Sequence, residues 1–247
     1  MAIENGDFIK VNYTGKVNEG QIFDTTDEQL AKDNGVYNPR GLYGGDIVVV
    51  GSGHTIAGLD EDFEGKEVGY TGTLTIPPEK AFGAHDPSLV ETISITKLKE
   101  QLGDQRPYTG MPIEYNGKRG VISQALGRRI RVDFNHALAG KDVEYEYTIE
   151  EKIEDTLAKA QGLIALYTGL RDVEVEVTDE VIRVVAPIEL TFNQRWLMSK
   201  GTIATELIAK LGIPNLEYVE KYPYVPPETP EAEEAPAEDE ATEEAEG

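Results

Sequence analysis

One stretch constrains the fold more than any other, residues 51–65 with the sequence GSGHTIAGLDEDFEG. It follows an apolar run at 47–50, and its apolar residues Ile56, Leu59 and Phe63 have the spacing of one buried helical face. The glycines around this pattern keep the predicted helix short. Because the first N–H groups of a helix have no partner inside it, they can bind an anion or a carbonyl oxygen. The stretch therefore predicts either a short helix that fills a sheet or a platform for a ligand.

Several segments on either side of this helix have the alternating pattern of half-buried strands. They cover residues 8–13, 21–24, 46–50, 70–76 and 143–149, with a break expected at Thr14-Gly15 and a long loop expected over 27–45. Alternate side chains of a strand share a face. The pattern therefore predicts an α+β fold in which an antiparallel sheet wraps a short helix.

The concave face of this sheet would gather an aromatic-rich set of side chains, namely Tyr13, Phe23, Ile56, Leu59, Phe82, Tyr145 and Tyr147. These residues either form only a core or line a cleft for a small ligand or a peptide. Asp24 directly follows Ile22 and Phe23. It either points inward, which requires a hydrogen bond, or caps the turn that follows.

Residues 86–136 interrupt this sheet and have a pattern of their own. They contain a short helical segment, a strong hairpin signal at Asn116-Gly117, and strands near 113–115, 119–125 and 129–134. Eight Lys or Arg residues against six Asp or Glu residues give this segment a positive balance. We interpret it as a small β-rich domain inserted into a discontinuous domain formed by residues 1–85 and 137–153.

Residues 154–224 predict a separate α+β domain, ordered helix, hairpin, helix and strand. Asp155 is placed to cap the first helix, with Leu157, Ala160, Ile164 and Tyr167 on one face. No catalytic spacing is visible here, so a scaffold or an assembly surface is expected. Residues 225–247 are rich in Pro, Glu and Ala and are expected to be a disordered acidic tail.

Composition excludes several classes of function. The formal net charge is −23, of which the tail contributes ten acidic residues, and such a chain disfavours nonspecific nucleic-acid binding. Neither a membrane span nor a secretory signal is expected from the sequence. The absence of cysteine removes thiolate sites and fits a cytoplasmic protein. With three histidines, at 54, 85 and 136, a metal centre is not expected, and no cofactor is expected either.

The usual catalytic motifs are also missing. The chain has no G-x-S-x-G, no phosphate loop and no G-x-G-x-x-G. What remains is an apolar cleft, one carboxylate and free N–H groups. Such a site suits a reaction without a nucleophile or a cofactor, and rotation about a prolyl peptide bond is one.

Three runs of sequence resemble the FKBP-type peptidyl-prolyl cis–trans isomerases: VNYTGKVNEGQIFDTT, VVVGSGHTIAGLDEDFEGKEVG and LTIPPEKAFG. The interrupted arrangement and the re-entry DFNHALAGKDVEYEYTIEEK are similar to the SlyD-like branch. The additional C-terminal domain resembles that of archaeal long-type members. The resemblance is strong over about residues 5–153, and for the C-terminal domain it rests on architecture.

The resemblance implies roles for individual residues. Tyr13, Asp24 and Phe82 match catalytic positions; Phe23, Ile56, Leu59, Tyr145 and Tyr147 match substrate-binding positions. The Ile56 N–H would receive a substrate carbonyl. Leu59 stands where a tryptophan is usual and Phe82 where a tyrosine is usual, which argues against tight macrolide binding.

The resemblance also implies a function for the whole chain. It would isomerise X–Pro bonds of unfolded or partly folded polypeptides, accelerate their folding, and act as a chaperone through its inserted domain. The alternative is a chaperone or binding module with a weak or vestigial isomerase pocket. The expected partners are such polypeptides, with neither nucleic acid nor membrane, and a second copy bound through the C-terminal domain.

Overall fold

The computed structural model describes residues 2–17, 20–39, 41–98, 102–103 and 105–222. The predicted tail lies outside the described residues. In chain order the strands are β1 (Phe8–Val17), β2 (Gln21–Thr25), β3 (Asp46–Val49), β4 (Thr71–Ile76), β5 (Val90–Ser94), β6 (Pro112–Tyr115), β7 (Lys118–Leu126), β8 (Arg129–Asp133), β9 (Val143–Lys152), β10 (Glu174–Val177), β11 (Val181–Ala186) and β12 (Asn215–Glu220). The helices are α1 (Glu28–Asp33), α2 (Ala57–Phe63), α3 (Thr156–Thr168), α4 (Ile188–Thr191) and α5 (Gln194–Leu211), with short 3-10 turns at Pro78–Lys80, Pro87–Leu89 and Ile95–Lys97.

The main sheet is antiparallel and has the order β2-β1-β9-β4, with β3 also paired to β1. Helix α2 lies across its concave face and buries Leu59 and Phe63. A Cβ on Gly58 would lie 2.4 Å from Ile76 Cγ2, so only glycine allows this close approach of α2 to β4. The predicted α+β fold, with an antiparallel sheet wrapped on a short helix, is confirmed.

Two local predictions were wrong. Strand β1 does not break at Thr14-Gly15 but continues to Val17, with a bulge after Gly15 that keeps it paired to β2. The segment 27–45 is not entirely loop, because it contains α1. That helix begins at Asp27, whose carboxylate accepts a hydrogen bond from the Leu30 N–H at 2.9 Å.

A second antiparallel sheet has the order β5-β8-β7-β6 and lies wholly within residues 86–136. Asn116 and Gly117 both adopt positive φ in the hairpin that joins β6 and β7, as the Asn-Gly signal predicted. Ile122, Ile130 and Val132 lie in a separate apolar core. The domain boundaries at 85 and 137 remain predictions.

The C-terminal part contains a third sheet, β10-β11-β12, in which β12 runs parallel to β11. Asp155 caps α3 as predicted, and Asn193 caps α5. The predicted face of α3 was wrong at one position, because Leu157 is exposed whereas Leu163 is fully buried. Leu163 is buried because α3 packs on both the third sheet and β3.

Candidate active site

A cavity of about 700 Å³ opens between the concave face of the main sheet and the start of α2. This volume is typical of small-ligand pockets. The residues predicted from sequence that line it are Tyr13, Asp24, Ile56, Leu59, Phe82 and Tyr145. The segment after α1 adds Leu42 and Tyr43, and the end of α3 adds Leu166 and Gly169.

Aromatic rings form one side of the cavity. Phe23 meets Phe82 edge to face at 5.6 Å and Tyr145 at 5.8 Å between ring centroids. Tyr13 lies 5.7 Å from Tyr145. The other side of Phe82 stacks on His136 at 4.8 Å and nearly parallel, so the ring is held between two neighbours.

Two predicted residues lie outside the lining of this cavity. Phe23 is behind the wall, where it supports Phe82 and Tyr145 and packs closely on Gly15. Tyr147 is buried under α2, where its ring contacts Phe63 and Tyr70 and its hydroxyl donates to Asp62. We therefore do not propose Tyr147 as a substrate contact. It lies on the predicted face, but α2 covers it.

The polar part of the cavity centres on the hydroxyl of Tyr13. Tyr13 Oη lies 3.3 Å from Asp24 Oδ2 and 3.4 Å from Asp46 Oδ2. A phenol carries one proton, so it donates to one of these carboxylates at a time. Burial, followed by the two nearby carboxylates, raises the pKa of Tyr13. The hydroxyl therefore stays protonated at neutral pH.

The two carboxylates differ in their surroundings. Asp24 lies at the mouth of the cavity, where partial burial raises the pKa of its carboxyl against the opposing hydrogen bond from Tyr13. Asp46 is held more deeply, and burial raises the pKa of its carboxyl to about 6, although the charge of Arg171 opposes that change. The Asp46 carboxyl is therefore about half ionised near pH 6.

Two polar atoms among the lining residues are buried and have no hydrogen-bond partner within the described part of the chain. They are Asp46 Oδ1 and Thr55 Oγ1. Buried polar atoms in native proteins nearly always have a partner. Because both atoms lie in one cavity, a molecule bound there could form hydrogen bonds with them.

Helix α2 begins at the cavity, with Ile56 as its N-terminal cap in an extended conformation. Among the described residues, none accepts a hydrogen bond from the Ile56 N–H. The loop before it is fixed, because the Asp60 carboxylate accepts from the Gly51 and Gly53 N–H groups at 2.9 and 3.0 Å. This arrangement presents the Ile56 N–H on a rigid frame.

Sequence reasoning missed Asp46, Thr55, Tyr43, Leu166 and Gly169 as lining residues. Asp46 carried a usable signal, because it is a carboxylate at the start of an apolar strand, like Asp24 at the end of one. Leu166 carried none, since its position in the cavity depends on how α3 docks.

Two negative findings apply to the described residues alone. They contain no group of three or more His, Cys, Asp or Glu side chains arranged to hold a metal ion. In the same part of the chain, no helix is long and apolar enough to cross a membrane.

Comparison with known proteins gives matches along most of the chain. The model of the FKBP-type peptidyl-prolyl cis-trans isomerase family matches residues 1–95, that of the FKBP26 IF domain matches 93–138, and that of the FKBP26 C-terminal domain matches 157–223. A short-type peptidyl-prolyl cis-trans isomerase of Methanocaldococcus jannaschii is 36% identical over 151 residues, which is 60% of this chain and 93% of that protein.

Bacterial relatives match a similar part of the chain. The FKBP-type 16 kDa peptidyl-prolyl cis-trans isomerase of Escherichia coli K12 is 26% identical over 61% of this chain and 93% of its own length. The SlyD isomerase of Treponema pallidum is 27% identical over 64% of this chain and 84% of its own length.

The domain in which an antiparallel sheet wraps a short helix contains most of the segment that matches the prolyl isomerase family model, and so it is of the prolyl isomerase class. The chain belongs to the FKBP-type peptidyl-prolyl cis–trans isomerases and is SlyD-like, with FKBP26-type insert and C-terminal domains. It is an isomerase that acts on polypeptides containing proline.

Proposed function

We propose that isomerisation takes place in the cavity between Tyr13, Asp24, Ile56, Phe82 and Tyr145. The observation that carries this proposal is the juxtaposition of an aromatic wall with the unpartnered Ile56 N–H in one cavity of suitable size. The proline ring would lie against Phe82 and Tyr145. Leu59 forms an aliphatic floor, smaller than the indole usual in the family.

The chemistry follows from the barrier to rotation about the X–Pro bond. Amide resonance sets this barrier at about 18–20 kcal/mol. The aromatic wall of the cavity gives the twisting bond apolar surroundings on one side, which disfavour the charge-separated planar amide relative to the twisted one, and fixed hydrogen-bond donors strengthen the difference. A reduction of about 5 kcal/mol gives an acceleration of several thousandfold. No covalent bond is made or broken.

Polar groups have orienting roles in this proposal. The Ile56 N–H would bind a carbonyl oxygen of the substrate next to the twisting bond. Tyr13 holds Asp24 at the mouth of the cavity. Phe82 has no hydroxyl with which to bind substrate, so its contribution is apolar contact, stabilised by stacking on His136.

The substitutions Asp24→Ala and Phe82→Ala test this proposal. Loss of one aromatic contact is worth about 0.5–1.5 kcal/mol, so kcat/KM for a short X–Pro peptide should fall by a factor of about 2 to 13 in Phe82→Ala. Asp179→Ala, at an exposed turn remote from the cavity, is the matched control for Asp24→Ala. Full activity of both cavity variants would mean that the site is elsewhere.

We further propose that the segment 86–136 is an inserted domain that binds unfolded chains and so accelerates folding. Tyr108, Val121 and Leu126 are large apolar side chains exposed on it. Exposed apolar groups suit unfolded polypeptides, which present apolar segments. Binding there would raise the local concentration of X–Pro bonds at the cavity.

Hydrogen bonds fix the junction between this segment and the main domain, which suits binding of a chain by the segment and isomerisation in the nearby cavity. The Asp86 N–H donates to Asn135 Oδ1 and Asn135 Nδ2 donates to the Asp86 carbonyl, both at 2.9 Å. The entering and leaving segments of the chain therefore lie side by side. His85 Nε2 also lies 2.8 Å from the Asp133 carboxylate.

Residues 154–224 form, in this proposal, a C-terminal domain that joins two copies of the chain. Four exposed apolar side chains lie close together in the sequence: Ile188 of α4, Phe192 directly after it, and Leu197 and Met198 of α5. Phe192 is 88% exposed, which is unusual for so large an apolar side chain. A cytoplasmic location remains a prediction from the absence of cysteine.

A further inference from the structure

The C-terminal part of the chain docks directly on the sheet that carries the cavity. Helix α3 lies so close to β3 that a Cβ on Gly162 would be 2.6 Å from Ile47 Cγ2. Phe8 and Val49 of the main sheet belong to the same apolar cluster as Leu163 of α3. The end of α3 is therefore held at a defined position relative to the cavity.

That end of the helix forms part of the cavity wall. Leu166 packs on the apolar clusters of both the main sheet and the C-terminal part, and it lines the cavity with Gly169. Just beyond the helix, Arg171 Nη2 donates to the carbonyl oxygen of Gly45 at 2.7 Å. Gly45 directly precedes Asp46, so Arg171 fixes the backbone at the buried carboxylate.

A second contact holds the loop that leads to Ile56. The Val49 N–H donates to His54 Nδ1 at 3.1 Å, so this nitrogen carries no proton and the hydrogen is on Nε2. Nε2 then donates to Glu206 Oε2 of α5 at 3.2 Å, and the imidazole meets the Tyr167 ring edge to face. The His54 side chain is only 5% exposed, so this contact is sheltered from solvent.

The charged and titratable groups that act on Asp46 come from three directions. Tyr13 of β1 donates to its carboxylate, and Asp24 of β2 repels it. Arg171 brings the opposing positive charge, which lowers the pKa of Asp46 and favours its ionised form. Burial is the larger influence and leaves this pKa at about 6.

We propose that the C-terminal part completes the prolyl site, with Leu166 as a wall that contacts substrate and Arg171 as a positioning residue for Asp46 and Gly45. This inference rests on the cavity being the site of isomerisation. It gives the C-terminal part a role in substrate binding.

The test compares pH profiles of kcat/KM for a short X–Pro peptide in full-length variants. Arg171→Gln removes the charge, Arg171→Lys retains it, and Arg183→Gln is the matched control. Arg183 is in the same part of the chain but bonds to Glu176 and Glu217 on the exposed face of its sheet.

Loss of an opposite charge near a carboxyl raises its pKa by about one pH unit when the charge is partly exposed. In this inference the active form is the one in which the ionised Asp46 accepts the hydrogen bond from Tyr13, so the titration of Asp46 sets the acid limb of the kcat/KM profile. That limb should move up by about one unit in Arg171→Gln, so that kcat/KM is about fivefold lower at pH 6 and close to wild type at pH 9. Arg171→Lys should restore the wild-type limb. Profiles of Arg171→Gln and Arg183→Gln that coincide would overturn the positioning role.

Leu166→Ala gives a second measurement that does not depend on how Arg171 variants fold. Removal of a wall contact should raise KM about threefold with little change in kcat. An unchanged KM would overturn the role of the wall. Phe82→Ala in the same assay distinguishes this inference from the proposal that isomerisation takes place in the cavity. If Phe82→Ala is impaired and the Arg171 and Leu166 variants are not, the cavity remains the site and only the role of the C-terminal part fails.

Discussion

The substitution Asp46→Asn tests the buried carboxylate at the centre of the site. Asp46 Oδ1 has no partner within the described residues, and the other oxygen shares a single Tyr13 proton with Asp24. Burial raises the pKa of Asp46 to about 6. Asparagine has nearly the same shape and carries no charge, so it removes the cost of ionising this position.

The size of the effect on stability follows from the difference in the pKa of Asp46 between the folded and unfolded states. The pKa of about 6 in the folded protein lies about two pH units above the usual value of about 3.9 for aspartate, which corresponds to about 3 kcal/mol. The folded state holds the proton more tightly than the unfolded state. Stability therefore falls as the pH rises from about 4 to about 6, and the full cost is present above that range.

We expect Asp46→Asn to raise the free energy of unfolding by about 2–3 kcal/mol at pH 8 and by about half as much at pH 5. Urea denaturation followed by circular dichroism at the two pH values measures both quantities. Asp179→Asn, at an exposed turn, is the control for a change in net charge. If Asp46→Asn is no more stable than wild type at pH 8, the buried Asp46 charge does not destabilise the folded state.

The same substitution should reduce activity. If the ionised Asp46 orients Tyr13, Asp46→Asn gains stability and loses kcat/KM at pH 8, and its profile should lack the acid limb of the wild type near pH 6. Strained or poorly satisfied groups at active sites commonly have this effect on stability. A variant with both greater stability and full activity would show that Asp46 has no role in the reaction.

Three further predictions concern the other parts of the chain. Replacement of residues 87–134 by a short loop keeps the Asp86–Asn135 pair and the His136 ring on Phe82. This variant should still isomerise short peptides but should largely lose its acceleration of proline-limited refolding. Equal losses in both assays would contradict separate roles for the cavity and the inserted segment. Gly162→Ala should lower the free energy of unfolding by about 1–3 kcal/mol because its Cβ meets Ile47, whereas Gly201→Ala, with open space around it, should not. Phe192→Glu should shift a dimer to monomer in light scattering, and an unchanged mass would argue against the exposed apolar surface around Phe192 as the interface.

Most of the fold was predictable from local sequence patterns. Alternation placed the strands, the spacing of Ile56, Leu59 and Phe63 placed α2, and Asn116-Gly117 placed a hairpin. The break assigned at Gly15 was wrong because the glycine serves close packing on Phe23 rather than a turn.

The site was predictable only where its residues belong to one sheet face or one motif. Tyr147 has the right alternation, but α2 covers it, and alternation does not reveal which part of a face another element covers. Docking of α3 on β3 brings Leu166 to the cavity and Arg171 to the carbonyl of Gly45, next to Asp46. Contacts between distant parts of a chain leave no periodic trace in the sequence, and for this reason they were missed.

Binding of prolyl peptides in this cavity can be observed by NMR titration of the full-length protein with a short X–Pro peptide. The Ile56 amide resonance should undergo a large downfield shift, since its N–H gains a carbonyl acceptor, and resonances of Tyr13, Phe82 and Leu166 should change with it. Changes confined to residues 86–136, with the Ile56 amide unmoved at saturation, would show that the peptide does not bind in the cavity.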